Sequence, residues 1–375
     1  MRLNFCIRSI MFKLKSFFLI LTTLIFTSGC DGLKRTVKNV FEVSERAAYE
    51  RRFSGADSLL VNWKNEFASA EANQLKIPAG YSAVTPSGIK SAMGYSVDLK
   101  RGDLLLVEAT ANPALKIFID IFEVNADSES DSGGILENGI FKKFIEKTGV
   151  YKIVIQPEIN YPDSFAFKIY TQPSLKFPVA GKGNRDVQSF WGAIRDGGDR
   201  NHEGVDIFAA RGTPVVAATD GFVTRTGNSG LGGKQVWLRD GNLGNSLYYA
   251  HLDSIMVEAG KQVKAGDTLG TVGSTGNAAG GATHLHFGIY STGGAVDPYP
   301  YIHQRSIPEQ KKTNVNSAAA LKKSSKLRSG PGAQFDTVAT LSEKTDVDII
   351  SGNGEWYHVK TADSIEGFVI KSRLE

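Results

Sequence analysis

Nineteen of the 40 glycines in this chain fall between residues 201 and 300. Glycine destabilises helix interiors and supplies the positive-φ positions of tight turns, so this stretch reads as short strands joined by turns, not as a bundle of helices. The residues between the glycines agree, because Val205, Ile207 and Phe208, the run Tyr248-Tyr249-Ala250, and Leu285 and Phe287 are aliphatic and aromatic strand formers. The predicted fold here is antiparallel and β-rich.

Four of the six histidines lie in the same stretch. It opens with His202-Glu-Gly-Val-Asp206, continues through Tyr248-Tyr249-Ala250-His251-Leu252-Asp253, and closes with Thr283-His284-Leu285-His286-Phe287. If the first motif is a strand, His202 and Asp206 share a face, and the same period of two puts His284 and His286 on one side of theirs. Two nitrogens and a carboxylate can then meet one ion, with two histidines left over. A catalytic zinc site uses three protein ligands and leaves a position open, and a donor set without thiolate argues against a closed structural site. Either motif alone would be an ordinary strand feature; it is their coincidence in one glycine-rich segment that points to a metal hydrolase. His303 and His358 lack such neighbours and read as ordinary histidines.

These residues resemble the signature of lysostaphin-type (LytM-like) zinc metalloendopeptidases, which cut peptide cross-links of bacterial cell walls. The resemblance runs from Phe177-Pro-Val to Asp297-Pro298 and includes Arg211-Gly-Thr-Pro-Val-Val-Ala, Asp220-Gly-Phe-Val and Gly260-x-x-Val-x-Ala-Gly-Asp. It implies Zn²⁺ as cofactor, His202, Asp206 and His286 as its ligands, and His251 and His284 as catalytic groups beside it, with the tasks of those two not divided. Zinc would supply Lewis-acid activation, and a positioned histidine would move the proton. Tyr248 or Tyr249 is a candidate donor to the developing oxyanion. No position of the pattern is missing, as would be usual in a non-catalytic wall-binding regulator of another hydrolase; an exported metalloprotease acting on proteins would share every zinc residue.

Residues 1–30 read as an export signal. Arg2, Arg8, Lys13 and Lys15 precede an apolar run from Phe17 to Phe26 that is too short for a bilayer span, and Met11 is an alternative start. Thr27-Ser28-Gly29-Cys30 resembles a lipobox, although Thr27 stands where leucine is usual, and it implies lipidation at Cys30 and a membrane anchor in the bacterial cell envelope. Cys6 and Cys30 are the only cysteines, so a chain cleaved before Cys30 has no internal disulfide. Removing the four basic signal residues from the 43 Lys and Arg leaves 39, against 39 Asp and Glu, which gives no footprint for nucleic acid.

The remaining chain divides into a tether and helical segment (31–76), a β-sandwich accessory domain (77–172), the metalloendopeptidase domain (173–305), a polar linker (306–320) and an SH3-like barrel (321–375). Ser44 is a predicted N-cap, and Leu59, Leu60, Trp63 and Phe67 fall on one face of a predicted helix that packs on the next domain. Alternating Tyr95, Val97 and Leu99, then 104–107, 117–124, 150–155 and 165–170, predict the sandwich and carry no catalytic constellation. The loops Gly227 to Gly233 and Gly273 to Gly281 are predicted groove walls; neither ends in Lys-Ser/Thr, so they are not phosphate loops. Leu327-Arg-Ser-Gly-Pro-Gly332, Glu355-Trp-Tyr-His-Val-Lys360 and Gly367-Phe-Val resemble a bacterial SH3-like domain, which implies a tethered binder of peptidoglycan. No regulatory protein partner is specified by any of these motifs.

Overall fold

The computed structural model describes residues 44–124, 132–310 and 313–375. The signal segment, including the lipidation candidate Cys30, lies outside the described residues. By itself, the short unit ending at Ser54 contains the helix Glu45–Arg52, where the Ser44 hydroxyl accepts from the Ala47 amide at 3.2 Å. Glu45 at its start and Arg51 and Arg52 at its end both suit the helix dipole.

The rest, from Gly55 onward, is mainly β. The helix Asp57–Ala72 lies on the accessory sandwich as predicted, with the Trp63 indole donating to the Pro157 carbonyl at 2.8 Å and its ring meeting Phe118 edge-on. Leu59 is exposed, however, so the buried stripe runs through Trp63 and Ala70 and is narrower than the spacing suggested. At Ala70 the helix backbone comes so close to the sheet that a Cβ on Gly94 would collide with its carbonyl.

The sandwich has two antiparallel sheets. One is ordered Met93–Leu99, Gly149–Pro157, Ile117–Glu123, Ser132–Ile135, and the other Tyr81–Val84, Ala166–Pro173, Asp103–Thr110, Ile140–Phe144. Three of these, Tyr81–Val84, Ser132–Ile135 and Ile140–Phe144, are short or weakly apolar and escape a reading based on periodicity.

The second sheet does not stop at the sandwich. Val84 pairs with Gly352, so the strand Asp346–Gly352 of the carboxy-terminal module continues it. Ile350 and Phe368 of that module are buried in the sandwich core, and Tyr95 of the sandwich bonds to Ser351 at 3.1 Å and to Nδ1 of the fully buried His358 at 3.0 Å. The stretch read as a linker is also anchored: Ser82 donates to the Glu309 carbonyl, and Ala318–Ala320 pairs with Asp346–Gly352. The module is thus docked on the sandwich, where the polar composition of 306–320 had suggested a free tether. Burial of apolar surface and a shared ladder outweigh the entropy that a flexible linker would retain.

The segment between them folds around an antiparallel sheet ordered Gln262–Val263, Gly221–Asn228, Lys234–Asp240, Ser246–Ala250, His284–Ser291, Val205–Phe208, Val187–Ser189. A three-stranded sheet, Pro214–Val216, Thr268–Val272 and Leu252–Ile255, packs beside it. Period-two alternation sends Val205, Ile207, Leu285 and Phe287 into the core and frees Asp206, His284 and His286 for the other face.

Candidate metal centre

Asp206 and His286 sit directly opposite each other in the ladder, and Phe208 opposes His284 two positions along. His202 arrives differently from the sequence expectation, since the strand begins only at Val205 and His202 lies in the turn before it. Its backbone continues a preceding hairpin instead, its amide donating to Ala193 at 2.8 Å and its carbonyl accepting from Gly192 at 2.9 Å. Gly204 then lets the chain turn tightly under His286; a Cβ there would stand 2.6 Å from that imidazole.

Three donor atoms converge. His202 Nε2, Asp206 Oδ1 and His286 Nδ1 are mutually 3.0 Å apart. The Phe190 carbonyl can only accept, and at 2.9 Å from His202 Nδ1 it assigns the proton to that nitrogen, leaving a lone pair on Nε2. Lone pairs packed this closely repel unless a cation or proton is shared among them. Ligands about 2.0–2.1 Å from a tetrahedral zinc lie about 3.3 Å apart, so the triangle is close to the size such an ion needs. Two nitrogens, one oxygen and no thiolate fit an ion of the zinc type.

The two remaining histidines stand beside the triangle. His284 Nε2 is 3.9 Å from Asp206 Oδ1, and the rings of His251 and His284 meet edge-on with centroids 5.0 Å apart. The Thr275 carbonyl, 2.9 Å from His251 Nδ1, and the Ala282 carbonyl, 2.9 Å from His284 Nδ1, assign both protons to Nδ1 and leave both Nε2 atoms as proton acceptors. Burial, reinforced by His284 and His286, lowers His251 to about 4, so it is neutral at neutral pH. Burial pushes the Asp206 carboxyl up, but the contacts with His202 and His286 outweigh it and hold the group well below the usual carboxylate range once a proton or cation is shared in the triangle. His251 also has φ 62°, a left-handed conformation that costs a non-glycine residue energy and is found at functional sites.

The five residues open onto a groove of about 1010 Å³. Leu231 and Gly232 and Asn277 to Ala279 line the groove, as the glycine-rich loops predicted, and the two loops touch where the Asn277 amide donates to the Leu231 carbonyl at 2.9 Å. Tyr248 faces the groove against Trp237, with ring centroids 4.4 Å apart, and Tyr290 extends this aromatic wall. Tyr249, the other oxyanion candidate, points instead into the core, where its hydroxyl accepts from the Ala218 amide at 3.0 Å and does not face the groove. His303 stacks on Tyr299 and His358 serves the sandwich interface, both away from the groove. Sequence reasoning missed Arg195, whose Nη2 donates to Asp206 Oδ2 at 2.7 Å, and Trp237 and Tyr290, because no spacing rule links residues on separate strands.

An antiparallel β domain with a His-Asp-His triangle lining an open groove has a site that could hold a metal ion. Residues 200–298 match Peptidase family M23 and residues 323–375 match Bacterial SH3 domain, so the chain carries an M23 (LytM/lysostaphin-like) peptidase domain and a bacterial SH3 domain. The L-Ala–D-Glu endopeptidase of Bacillus subtilis (strain 168) is 36% identical over 151 residues, which are 36% of this chain and 46% of that protein, so the chain spans less than half of that relative's length. The uncharacterized lipoprotein YgeR of Escherichia coli (strain K12) is 28% identical over 231 residues, covering 60% of this chain and 87% of that one. Among solved structures, the catalytic domain of the antimicrobial peptidase lysostaphin from Staphylococcus simulans is 35% identical, with a TM-score of 0.29 over 31% of this chain and 92% of that one.

Proposed function

We propose that the chain is a zinc-dependent endopeptidase hydrolysing peptide cross-links of bacterial peptidoglycan. The observation that carries this reading is the 3.0 Å triangle of His202, Asp206 and His286 with two further imidazole lone pairs beside it, in an open groove of about 1010 Å³. His202, Asp206 and His286 would hold the zinc, which when bound supplies Lewis-acid polarisation of the scissile carbonyl and of water. His251 and His284 take the attacking water's proton on Nε2 and return it to the leaving amine, each fixed in the required tautomer by a backbone carbonyl. Tyr248 faces the same space and is placed to donate to the developing oxyanion. Peptidoglycan as substrate is supported by the M23 relatives named as endopeptidases, not by any single groove residue.

Incubating the purified chain with isolated peptidoglycan should release peptides identifiable by mass spectrometry. His251→Ala and His284→Ala should each keep zinc and lose about 10²- to 10⁴-fold in turnover, the usual worth of a general acid–base. Near-normal turnover of either at saturating substrate would remove that residue from the mechanism. Wall binding without peptide release by the unaltered chain would instead indicate a non-catalytic regulator.

We also propose that Cys30 carries the lipid that anchors the protein in the cell envelope. This rests on the lipobox-like Thr27-Ser28-Gly29-Cys30 and on the resemblance to a lipoprotein over 60% of the chain. Expressed in a bacterium, the protein should enter the detergent phase on Triton partitioning, and Cys30→Ala should move it to the aqueous phase. Unchanged partitioning of the variant would remove the lipid assignment.

A further inference from the structure

We propose that Arg195 is a positioning residue that holds Asp206 in single-oxygen ligation and fastens the groove-side hairpin to the metal centre. The inference rests on the zinc reading above and extends it to a residue outside the donor set. Asp206 divides its two oxygens. Oδ1 faces His202 and His286 at 3.0 Å, while Oδ2 accepts from Arg195 Nη2 at 2.7 Å. The same Nη2 donates to Ser189 Oγ at 2.6 Å, and Ser189 is the ladder partner of Asp206 on the neighbouring strand. Both protons of that nitrogen are therefore directed, and the guanidinium is fixed from two sides.

Two consequences follow from elementary coordination chemistry. A carboxylate with one oxygen held by a guanidinium cannot swing to offer both oxygens to a cation, so a three-ligand site keeps its remaining position for substrate. The guanidinium also fixes which oxygen points at the two imidazoles, and partners of this kind typically account for about 10–100-fold in metal affinity. A lysine would supply the charge but not the planar fork.

The position of Arg195 in the chain adds a link to the groove wall. Ile194–Arg195 pairs with Arg200–Asn201 across a tip where Gly197 and Gly198 both have positive φ, and the return strand runs straight into His202. The hairpin is thus pinned at one leg through Asp206 and at the other through His202, whose imidazole meets the Phe190 carbonyl at 2.9 Å. Arg200 and Asn201 line the groove, so the hairpin that Arg195 fastens to Asp206 also contributes to the groove lining.

The test uses the full chain loaded with Zn²⁺ or Co²⁺ alone. In the unaltered protein, Co²⁺ should give the intense visible bands of a four-coordinate ion. Arg195→Ala should weaken Zn²⁺ binding, measured by competition with a fluorescent chelator, by about 10–100-fold. It should also lower the cobalt band intensity toward that of a five-coordinate ion. A merely structural ion pair would shift the melting temperature of the metal-free protein and leave the cobalt spectrum alone. Arg195→Lys should recover less than half of the lost affinity. If Arg195→Ala does not fold, Ser189→Ala decides, since it frees one side of the guanidinium and should shift the cobalt spectrum in the same direction by a smaller amount. Zinc affinity within twofold and an unchanged cobalt spectrum, in whichever variant folds, would overturn the proposal while leaving the zinc reading intact. Failure of the unaltered chain to bind either ion would overturn both.

Discussion

On the zinc endopeptidase function proposed above, replacing Asp206 by alanine should empty the metal centre and lower peptidoglycan hydrolysis by about 10³-fold or more. Lewis-acid stabilisation of the transition state is worth several kcal/mol, and each 1.36 kcal/mol is a factor of ten. The loss is compounded by charge. Asp206 is the one acidic member of the triangle, and without it the Arg195 guanidinium faces two imidazoles with its carboxylate partner gone. A divalent ion would then enter a site with two neutral ligands and a neighbouring cation. Asp206→Asn separates charge from shape, because it keeps the size of the side chain and should still lose most of the zinc. Metal analysis of the purified variants, alongside peptide release from isolated wall, measures both effects. Full zinc occupancy in Asp206→Ala would mean that the ligand set lies elsewhere.

Phe368→Ala should destabilise the accessory sandwich as well as the SH3 domain that contains it. The ring is fully buried, with centroids 6.3 Å from Tyr81, 6.1 Å from Tyr95 and 5.3 Å from His358, and it belongs to the sandwich core. Truncating a buried phenylalanine costs about 3–5 kcal/mol, a large part of the stability of an ordinary domain. Its neighbour Val369 faces the other way, into the SH3 domain's own core. Val369→Ala should therefore cost less and act mainly on that domain. Hydrogen exchange read by mass spectrometry discriminates the two, since Phe368→Ala should lower protection in Met93–Leu99 of the sandwich and in Glu366–Ile370 together. Protection of Met93–Leu99 that stays at its original level would show that the two domains unfold independently.

The same interface changes what a truncation can report. Removing residues 321–375 would take Ile350 and Phe368 out of the sandwich core and leave Tyr95 without Ser351 and His358. Loss of wall activity in such a truncation would mix targeting with folding. Substitutions on the exposed face of the SH3 domain are the cleaner probe of wall binding.

Much of the site was legible because its logic is local. The period of two put His284 and His286 on one face, and the two glycine-rich loops that precede them became groove walls, since both features depend only on a few neighbouring residues. The His202 motif was half legible. The two side chains meet as the spacing suggested, but through a hairpin and a turn at Gly204 instead of one continuous strand. Tyr248 and Tyr249 were indistinguishable as candidates until the sheet assigned one to the groove and the other to the core.

By itself the sequence determined the β-rich class, the helix capped at Ser44, and the histidine and aspartate inventory. These follow from propensity, periodicity and composition, which are properties of short stretches or of simple sums. Tertiary structure alone decided that Arg195 reaches Asp206, that Trp237 and Tyr290 flank Tyr248, and that Phe368 joins the core that holds Tyr81, far away along the chain. Each of those contacts joins residues whose separation along the chain carries no information about their distance in space. They exist because strand register and close packing leave those side chains no other place to go.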